Sequence, residues 1–233
     1  MSKRAVILAG GKGTRLKPYT ISLPKPLVPI GETPILEIII KQLVIYGFTH
    51  ITITLNHFAD IIKAYFGDGQ KFGIKIDYSL EVTPLSTMGP LKLINDLPEN
   101  FLVLNGDILT DLNFSNFYDF HCSNMSGFTI SAHSRIDSVE YGVLVTDNEY
   151  NLVEFKEKPK NIYLVSMGIY CLNRSNLDLI PDNTFFGFDH LMYKLLEINR
   201  PAKIYLYDGY WLDIGRPDDY EKAINEFDTK KFI

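Results

Sequence analysis

Cysteine is nearly absent from this chain: Cys122 and Cys171 are the two among 233 residues. Two cysteines make neither a disulfide framework nor a cysteine-rich metal cluster, so both are read as free thiols in a reducing compartment. Long apolar runs are also missing. Nothing approaches the roughly 20 residues that span a bilayer. The N-terminal run, Ala5 to Ala9, is too short for the apolar region of a secretion signal. The expectation is a cytoplasmic protein that engages no membrane. An excess of basic charge is lacking as well. The formal net charge is −5, which argues against nucleic acid as a partner but leaves room for small phosphate ligands held by a few local donors. No repeat, low-complexity segment or long linker divides residues 1–233, so they are read as one domain.

What is present is alternation. Ala5-Val6-Ile7-Leu8-Ala9 is a continuous apolar run ending at glycines, as expected of a strand buried on both faces. Helical spacing over residues 35–46 is stopped by Gly47. Strands are expected over 51–55, 74–78 and 101–107, and helices over 60–66 and 90–97. Strand, helix, strand in this order implies crossover units and a mostly parallel sheet. In such sheets ligands bind outside the carboxyl ends of the strands. The loop at Gly10, and Asn56, Glu81 and Asp107, all stand at such ends. Beyond residue 115 strands dominate, at 128–133, 141–146, 152–156 and 166–171, and helical patterns return at 189–196 and 218–227. The reading is one α/β domain, with a nucleotide-binding half over 1–115 and a sugar-binding half over 116–233.

The stretch Gly10-Gly11-Lys12-Gly13-Thr14-Arg15-Leu16 carries the first chemistry. Its glycines permit positive φ and close approach of a ligand to the backbone, and consecutive N–H groups can cradle phosphate oxygens. Arg15 adds a permanently charged fork suited to phosphate. The spacing is neither the Gly-x-x-x-x-Gly-Lys-Ser/Thr loop nor Gly-x-Gly-x-x-Gly. Downstream, Pro24-Lys25-Pro26-Leu27 sets a lysine between two prolines, on a stiff segment that aims it in advance.

These residues resemble the sugar-1-phosphate nucleotidyltransferases, or nucleoside-diphosphate-sugar pyrophosphorylases. The resemblance runs from Leu8-Ala9-Gly10-Gly11 through Leu85-Ser86-Thr87-Met88-Gly89, Asn105-Gly106-Asp107, Tyr141-Gly142-Val143, Glu157-Lys158-Pro159 and Gly168-Ile169-Tyr170. It closes at Trp211-Leu212-Asp213-Ile214-Gly215-Arg216-Pro217. Ordered motifs thus cover residues 5 to about 220. The overall look is nearest to mannose-1-phosphate or heptose-1-phosphate guanylyltransferases. The resemblance implies a Rossmann-like nucleotidyltransferase fold: a mostly parallel, mixed central sheet with helices on both faces. It implies a Mg²⁺-dependent reaction, in which a sugar 1-phosphate attacks the α-phosphate of a nucleoside triphosphate and pyrophosphate leaves.

The expected site follows. Arg15, Lys25 and Asp107 are the catalytic candidates. Leu8, Ala9, Gly10, Gly11, Gly13, Thr14, Arg15, Lys25, Glu81, Ser86 and Thr87 would bind the nucleotide. Asp107 and Asp213 would hold magnesium, with Asp111 and Asp208 as the lesser carboxylate pair. Asn105, Gly106, Gly142, Glu157, Lys158, Ser166 and Gly168 would line the sugar pocket. Two positions depart from the family pattern. Ser166-Met167-Gly168 stands for Asn-Ala-Gly, which shortens the sugar contact. Ser86-Thr87-Met88-Gly89 stands for Gly-Thr-Ala-Gly, which is expected to place a side chain where backbone approaches the base.

Glu81 bears on the nucleotide. A carboxylate only accepts hydrogen bonds, and guanine offers two adjacent donors, so GTP is favoured over a thymidylyl, uridylyl or cytidylyl donor. A silent nucleotide-sugar sensor is disfavoured because Arg15, Lys25, Asp107 and Asp213 are all present. A glycosyltransferase is disfavoured because the fourth strand lacks Asp-x-Asp. The aromatic stretch Phe185-Phe186-Gly187-Phe188 is expected to serve as a subunit contact in a homo-oligomer.

Overall fold

The computed structural model describes residues 3–124 and 127–227. The chain runs β1 (Lys3–Leu8), the short pair β2 (Pro29–Ile30) and β3 (Thr33–Pro34), α1 (Ile35–Ile45), β4 (Phe48–Leu55), α2 (Ala59–Phe66) and β5 (Lys75–Leu80). Then follow β6 (Asn100–Asn105), β7 (Ile108–Thr110), α3 (Phe114–Ser123), β8 (Phe128–Ser138), β9 (Val143–Thr146), β10 (Leu152–Lys156) and β11 (Lys160–Asn173). The chain closes with α4 (Phe188–Glu197), β12 (Lys203–Leu206), β13 (Trp211–Asp213) and α5 (Pro217–Glu226).

Seven strands form the central sheet in the order β12-β8-β11-β6-β1-β4-β5. Every pairing is parallel except the two made by β11. From β1 the chain moves outward to β4 and β5, then returns to the other side of β1 to lay down β6. That reversal opens a crevice at the carboxyl ends of β1 and β6, where ligands bind in open α/β sheets.

The apolar runs explain the two-sided burial. Along β1, Ala5 and Ile7 belong to one core and Val6 to the other. The first core packs α1, α2, α3 and α5 against the sheet through Ile39, Phe66, Phe117 and Ala223. The second packs α4 and a 3₁₀ turn over the opposite face through Leu191, Leu195 and Leu91. Phe101, Phe117 and Phe128 are at most 1% exposed. Truncating a side chain of that kind to alanine costs about 3–5 kcal/mol.

Several expectations need correction. Residues 90–97 form no α-helix; a 3₁₀ turn spans Gly89–Leu93, because the stretch is short and bounded by prolines. The strand expected to reach Asp107 ends at Asn105. Helix α3 stands where the sequence pattern predicts no helix, although Asn113 caps it by accepting from Asn116 N at 3.0 Å and Phe114, Phe117 and His121 recur on its buried side. Strand β12 is likewise outside the strands expected from the sequence. Phe186 is 6% exposed and joins the second core, and Phe188 packs against it, so neither is available for a subunit contact. Phe185 alone of the three is exposed. Among the described residues no helix is long and apolar enough to cross a membrane. Cys122 is exposed, Cys171 is buried, and both are free thiols.

Candidate active site

The glycine-rich loop leaves β1 with Ala9 N donating to Thr54 O at 3.0 Å. Its three glycines have three different reasons. Gly13 has φ +62°, the left-handed region, and a Cβ there would stand 3.1 Å from Lys25 Cβ and Thr20 Cγ2. Gly10 does not need positive φ; a Cβ there would lie 2.7 Å from Glu81 Oε1. Gly11 needs neither. A Cβ at Gly11 would meet nothing within 4 Å, so its bareness opens space rather than relieving a clash. The loop ends in the 3₁₀ turn Thr14–Leu16, closed by Leu16 N donating to Gly13 O at 3.0 Å and anchored by buried Leu16. Thr20 Oγ1 donates to Gly13 O at 2.7 Å and ties the loop down. Lys12 and Arg15 remain exposed.

Lys25 lies in the 3₁₀ turn Lys25–Leu27, which Pro24 opens from an extended conformation. The turn turns the lysine inward, where it is 9% exposed and forms an ion pair with Asp107 Oδ2. The other carboxylate oxygen, Asp107 Oδ1, is buried without a hydrogen-bond partner among the described residues. Such an atom ordinarily costs about 1–3 kcal/mol unless something completes it. Asp213 ends β13, whose pairing with β7 sets Asp213 opposite Ile108, and Ile214 N donates to Asp107 O at 3.0 Å. The Asp213 carboxyl is held above its ordinary range, first by desolvation and then by the negative charge of Asp107; Lys25 and Arg15 pull it back. The structure thus gathers Arg15, Lys25, Asp107 and Asp213 at one place. Asp111 lies elsewhere, accepting from the hydroxyl of Tyr207.

A cavity of about 320 Å³ opens beside this cluster, walled by Gly10, Gly11, Glu81, Ser86, Thr87 and Asp107 among others. Glu81 Oε2 accepts from Leu85 N at 3.0 Å, which leaves Oε1 toward Gly10. Burial raises the Glu81 carboxyl above its ordinary range, and the Leu85 amide partly offsets this. Ser86 has φ +66°, so the non-glycine residue keeps the backbone shape that a glycine would adopt. Met88 is fully buried in the second core. The side chain expected at the base is therefore that of Ser86, not of Met88. Thr87 Oγ1 accepts from Phe188 N at 2.8 Å, and Met88 N and Gly89 N both donate to Phe186 O. This latch presents Phe185 and Pro84 to the cavity. Phe185, expected from its aromatic run to meet another subunit, thus lines the cavity instead.

The expected sugar residues fall into two groups. Asn105 and Gly168 meet at the β6–β11 border: Gly168 has φ +74°, and a Cβ there would lie 2.6 Å from Asn105 Nδ2. Gly106 N donates to Leu8 O at 2.9 Å. Ser166 is occupied within its own strand, accepting from Gly168 N at 3.2 Å and donating to Tyr170 OH at 3.1 Å across a bulge in the β8–β11 ladder. The second group is Gly142, Glu157 and Lys158, all exposed. A Cβ at Gly142 would overlap the Phe155 ring and stand 3.3 Å from Glu157 Oε2. This group lines neither the nucleotide-side cavity nor the one beside Asp213.

A seven-stranded α/β sheet covered on both faces, with a glycine-rich loop at its reversal point, defines a Rossmann-like protein. The chain belongs to the nucleotidyl transferase family, whose model matches residues 4–230. It is 33% identical to a mannose-1-phosphate guanylyltransferase of Mycobacterium tuberculosis, over 94% of this chain and 63% of that protein. It is 34% identical to a UTP--glucose-1-phosphate uridylyltransferase of Synechocystis sp., over 95% of this chain and 62% of that protein. The chain thus spans less than two thirds of the length of these relatives. The crystal structure of HddC from Yersinia pseudotuberculosis complexed with GMP-PN superposes with a TM-score of 0.74 at 29% identity, covering 97% of this chain and 100% of that one.

Proposed function

We propose that this protein transfers a nucleoside monophosphate from a triphosphate, GTP by preference, to a sugar 1-phosphate, releasing pyrophosphate. The observation that carries the reading is the gathering of Lys25, Asp107 and Asp213 beside a glycine-rich loop at the crevice of the sheet. The guanylyltransferase among its relatives supports the GTP preference.

The nucleophile needs little activation. A phosphate monoester has a second pKa near ~6 and is mostly dianionic at neutral pH. The work left to the protein is to align two polyanions and stabilise the leaving pyrophosphate. The loop N–H groups and Arg15 hold the β- and γ-phosphates. The bare Gly11 lets a phosphate reach the backbone. Lys25, preset by its turn, meets the α-phosphate. Glu81 accepts from the base edge at the far end of the cavity, with Ser86 and Thr87 along its wall. Asn105, Gly106 and Gly168, on the sugar side of the crevice, receive the sugar phosphate.

Asp107 and Asp213 fit a magnesium ion. Their donor set is two carboxylates, one with a buried oxygen lacking a partner among the described residues and the other disfavoured as an anion by burial and by its neighbour. Magnesium is commonly held by one or two carboxylates plus substrate phosphates. When bound it would neutralise phosphate charge and fix the geometry of the triphosphate.

A uridylyl donor is the second reading. It draws on the Synechocystis relative and on the fact that one Glu81 oxygen already accepts from Leu85. Pyrophosphate release from a panel of triphosphates with mannose 1-phosphate and glucose 1-phosphate separates the two. GTP turnover at least tenfold above UTP supports the first; the reverse order supports the second; no release from any pair removes both.

A further inference from the structure

We propose that the cavity of about 710 Å³ on the Asp213 side is an anion compartment, in which Arg135 and Arg216 join Arg15 to hold a phosphate-class dianion. The inference rests on the nucleotidyl-transfer reading for its place in the reaction. Its binding chemistry rests on the cavity alone.

Cations reach this cavity from three separate parts of the chain. Arg15 comes from the glycine-rich loop, Arg135 from β8, and Arg216 from the start of α5. Sequence separation of that kind does not arise from one solvated helix face. The acids in the same wall form no ion pair with these arginines, although Arg15 lies near enough to Asp213 to favour its anion. Asp219 Oδ2 is engaged by Gly215 N at 3.2 Å and Arg216 N at 2.9 Å, where it caps α5. Asp213 faces Asp107 and is assigned to the metal. Among the described residues, Arg15, Arg135 and Arg216 form no ion pair with any carboxylate, whereas Arg4 and Lys25 each do. Three guanidinium forks outside any ion pair among the described residues, around one cavity, suit a ligand with several anionic oxygens.

Trp211 lines the same cavity. Its Nε1 donates to Met167 O at 3.0 Å, which fixes the indole beside the cations. The cavity therefore offers both charge and an apolar face, and its volume leaves room for more than one phosphate. The same chemistry arises from two sources: the β,γ-diphosphate that leaves as pyrophosphate, or the phosphate of the attacking sugar. Arg15 belongs to the glycine-rich motif and Arg216 to the motif over residues 211–217, whereas Arg135 lies in none of the family motifs.

The test is equilibrium binding by calorimetry, with pyrophosphate and with mannose 1-phosphate as separate probes, in the presence of Mg²⁺. It compares the intact chain with Arg135→Gln, Arg216→Gln and the double variant. Each single change is expected to weaken one probe by about tenfold, and the double by about a hundredfold, as lost hydrogen bonds to a charged group imply. Melting temperature and GMP affinity are expected to stay unchanged, and Arg216→Lys is expected to recover part of the loss. Weakening confined to pyrophosphate places the leaving group here; weakening confined to mannose 1-phosphate places the sugar phosphate here. Double-variant affinities equal to those of the intact chain for both probes overturn the compartment. Because binding is read without turnover, a chain that binds pyrophosphate through these arginines yet makes no nucleotide-sugar separates failure of the reaction from failure of this inference. An intact chain that binds neither probe overturns both.

Discussion

The ammonium of Lys25 and the Oδ2 oxygen of Asp107, 82 positions apart in the chain, form an ion pair where β1 and β6 end. The pair uses one carboxylate oxygen and leaves Oδ1 buried without a partner among the described residues. A purely structural ion pair has no need of that second oxygen in such a setting. Asp107→Asn keeps the shape and removes the charge. Turnover is expected to fall by at least about 10²-fold, as for loss of one preorganised charge-stabilising group, with native circular dichroism retained. Near-normal Mg²⁺-dependent turnover in this variant removes Asp107 from the metal site.

The three loop glycines separate stability from function. Gly13→Ala forces a Cβ into the left-handed region against Thr20 and Lys25, and about 1–2 kcal/mol of stability should be lost. Gly10→Ala pushes on Glu81 Oε1 and should impair nucleotide binding. Gly11→Ala meets no protein atom, so its melting temperature is expected to match the native protein while KM for the triphosphate rises about tenfold or more. Unchanged KM in Gly11→Ala shows that no phosphate approaches the loop there.

Asp213 gives a pH-dependent signature. Its folded-state pKa is raised by burial and by Asp107, so folding favours its protonated form. The stability this contributes is present below the unfolded carboxylate pKa and is lost as pH rises through the elevated folded value. Asp213→Asn is uncharged at every pH. Its melting temperature should exceed that of the native chain near neutral pH and approach it in acid, while Mg²⁺-dependent activity is lost. A variant less stable than the native chain at neutral pH contradicts the assigned cause of the shift.

Glu81 is the specificity test. Glu81→Gln replaces an acceptor by an amide that both donates and accepts. The ratio of kcat/KM for GTP over UTP is expected to fall by about tenfold, with Asp107-dependent chemistry intact. Equal losses for both triphosphates assign Glu81 to shaping Gly10 and Leu85 rather than to reading the base.

His121 tests the fold apart from the site. It lies buried between Thr129 Oγ1 at 2.8 Å and Asn100 Oδ1 at 3.2 Å, and burial depresses its pKa to about 4. Its neutral form is favoured by folding, so that stability is present above the unfolded histidine value and declines as pH falls from about 6.5 toward 4. His121→Gln should flatten this acid limb in thermal melts; an unaltered limb assigns the acid sensitivity to other groups.

The parallel half of the sheet was legible because β1 and β6 carry continuous apolar runs, β4 alternates isoleucine with threonine, and the strands give way to glycine, asparagine or a carboxylate. Periodicity failed where composition was mixed. Helix α3 carries Ser115, Asn116, Asp119 and Ser123 on its outer side, which hid Phe114, Phe117 and His121 on the inner one. The convergence of Asp107 and Asp213 is made by the β7–β13 pairing, two strands of three residues each, too short to announce themselves. Phe185 reads in the sequence as part of an aromatic subunit contact and Arg135 belongs to no motif; only the cavities they line give them a place at the site. Motif spacing did mark Ser86, but not that it would adopt a glycine-like φ while Met88 turned into the core.

The most direct test of nucleotidyl transfer is phosphorus NMR of the intact chain with GTP, mannose 1-phosphate and Mg²⁺. The prediction is that nucleotide-sugar diphosphate resonances and pyrophosphate rise together in equal amounts, and that Lys25→Ala slows both alike. Triphosphate consumed without a matching sugar diphosphate, or no change with any sugar 1-phosphate and triphosphate supplied, contradicts it.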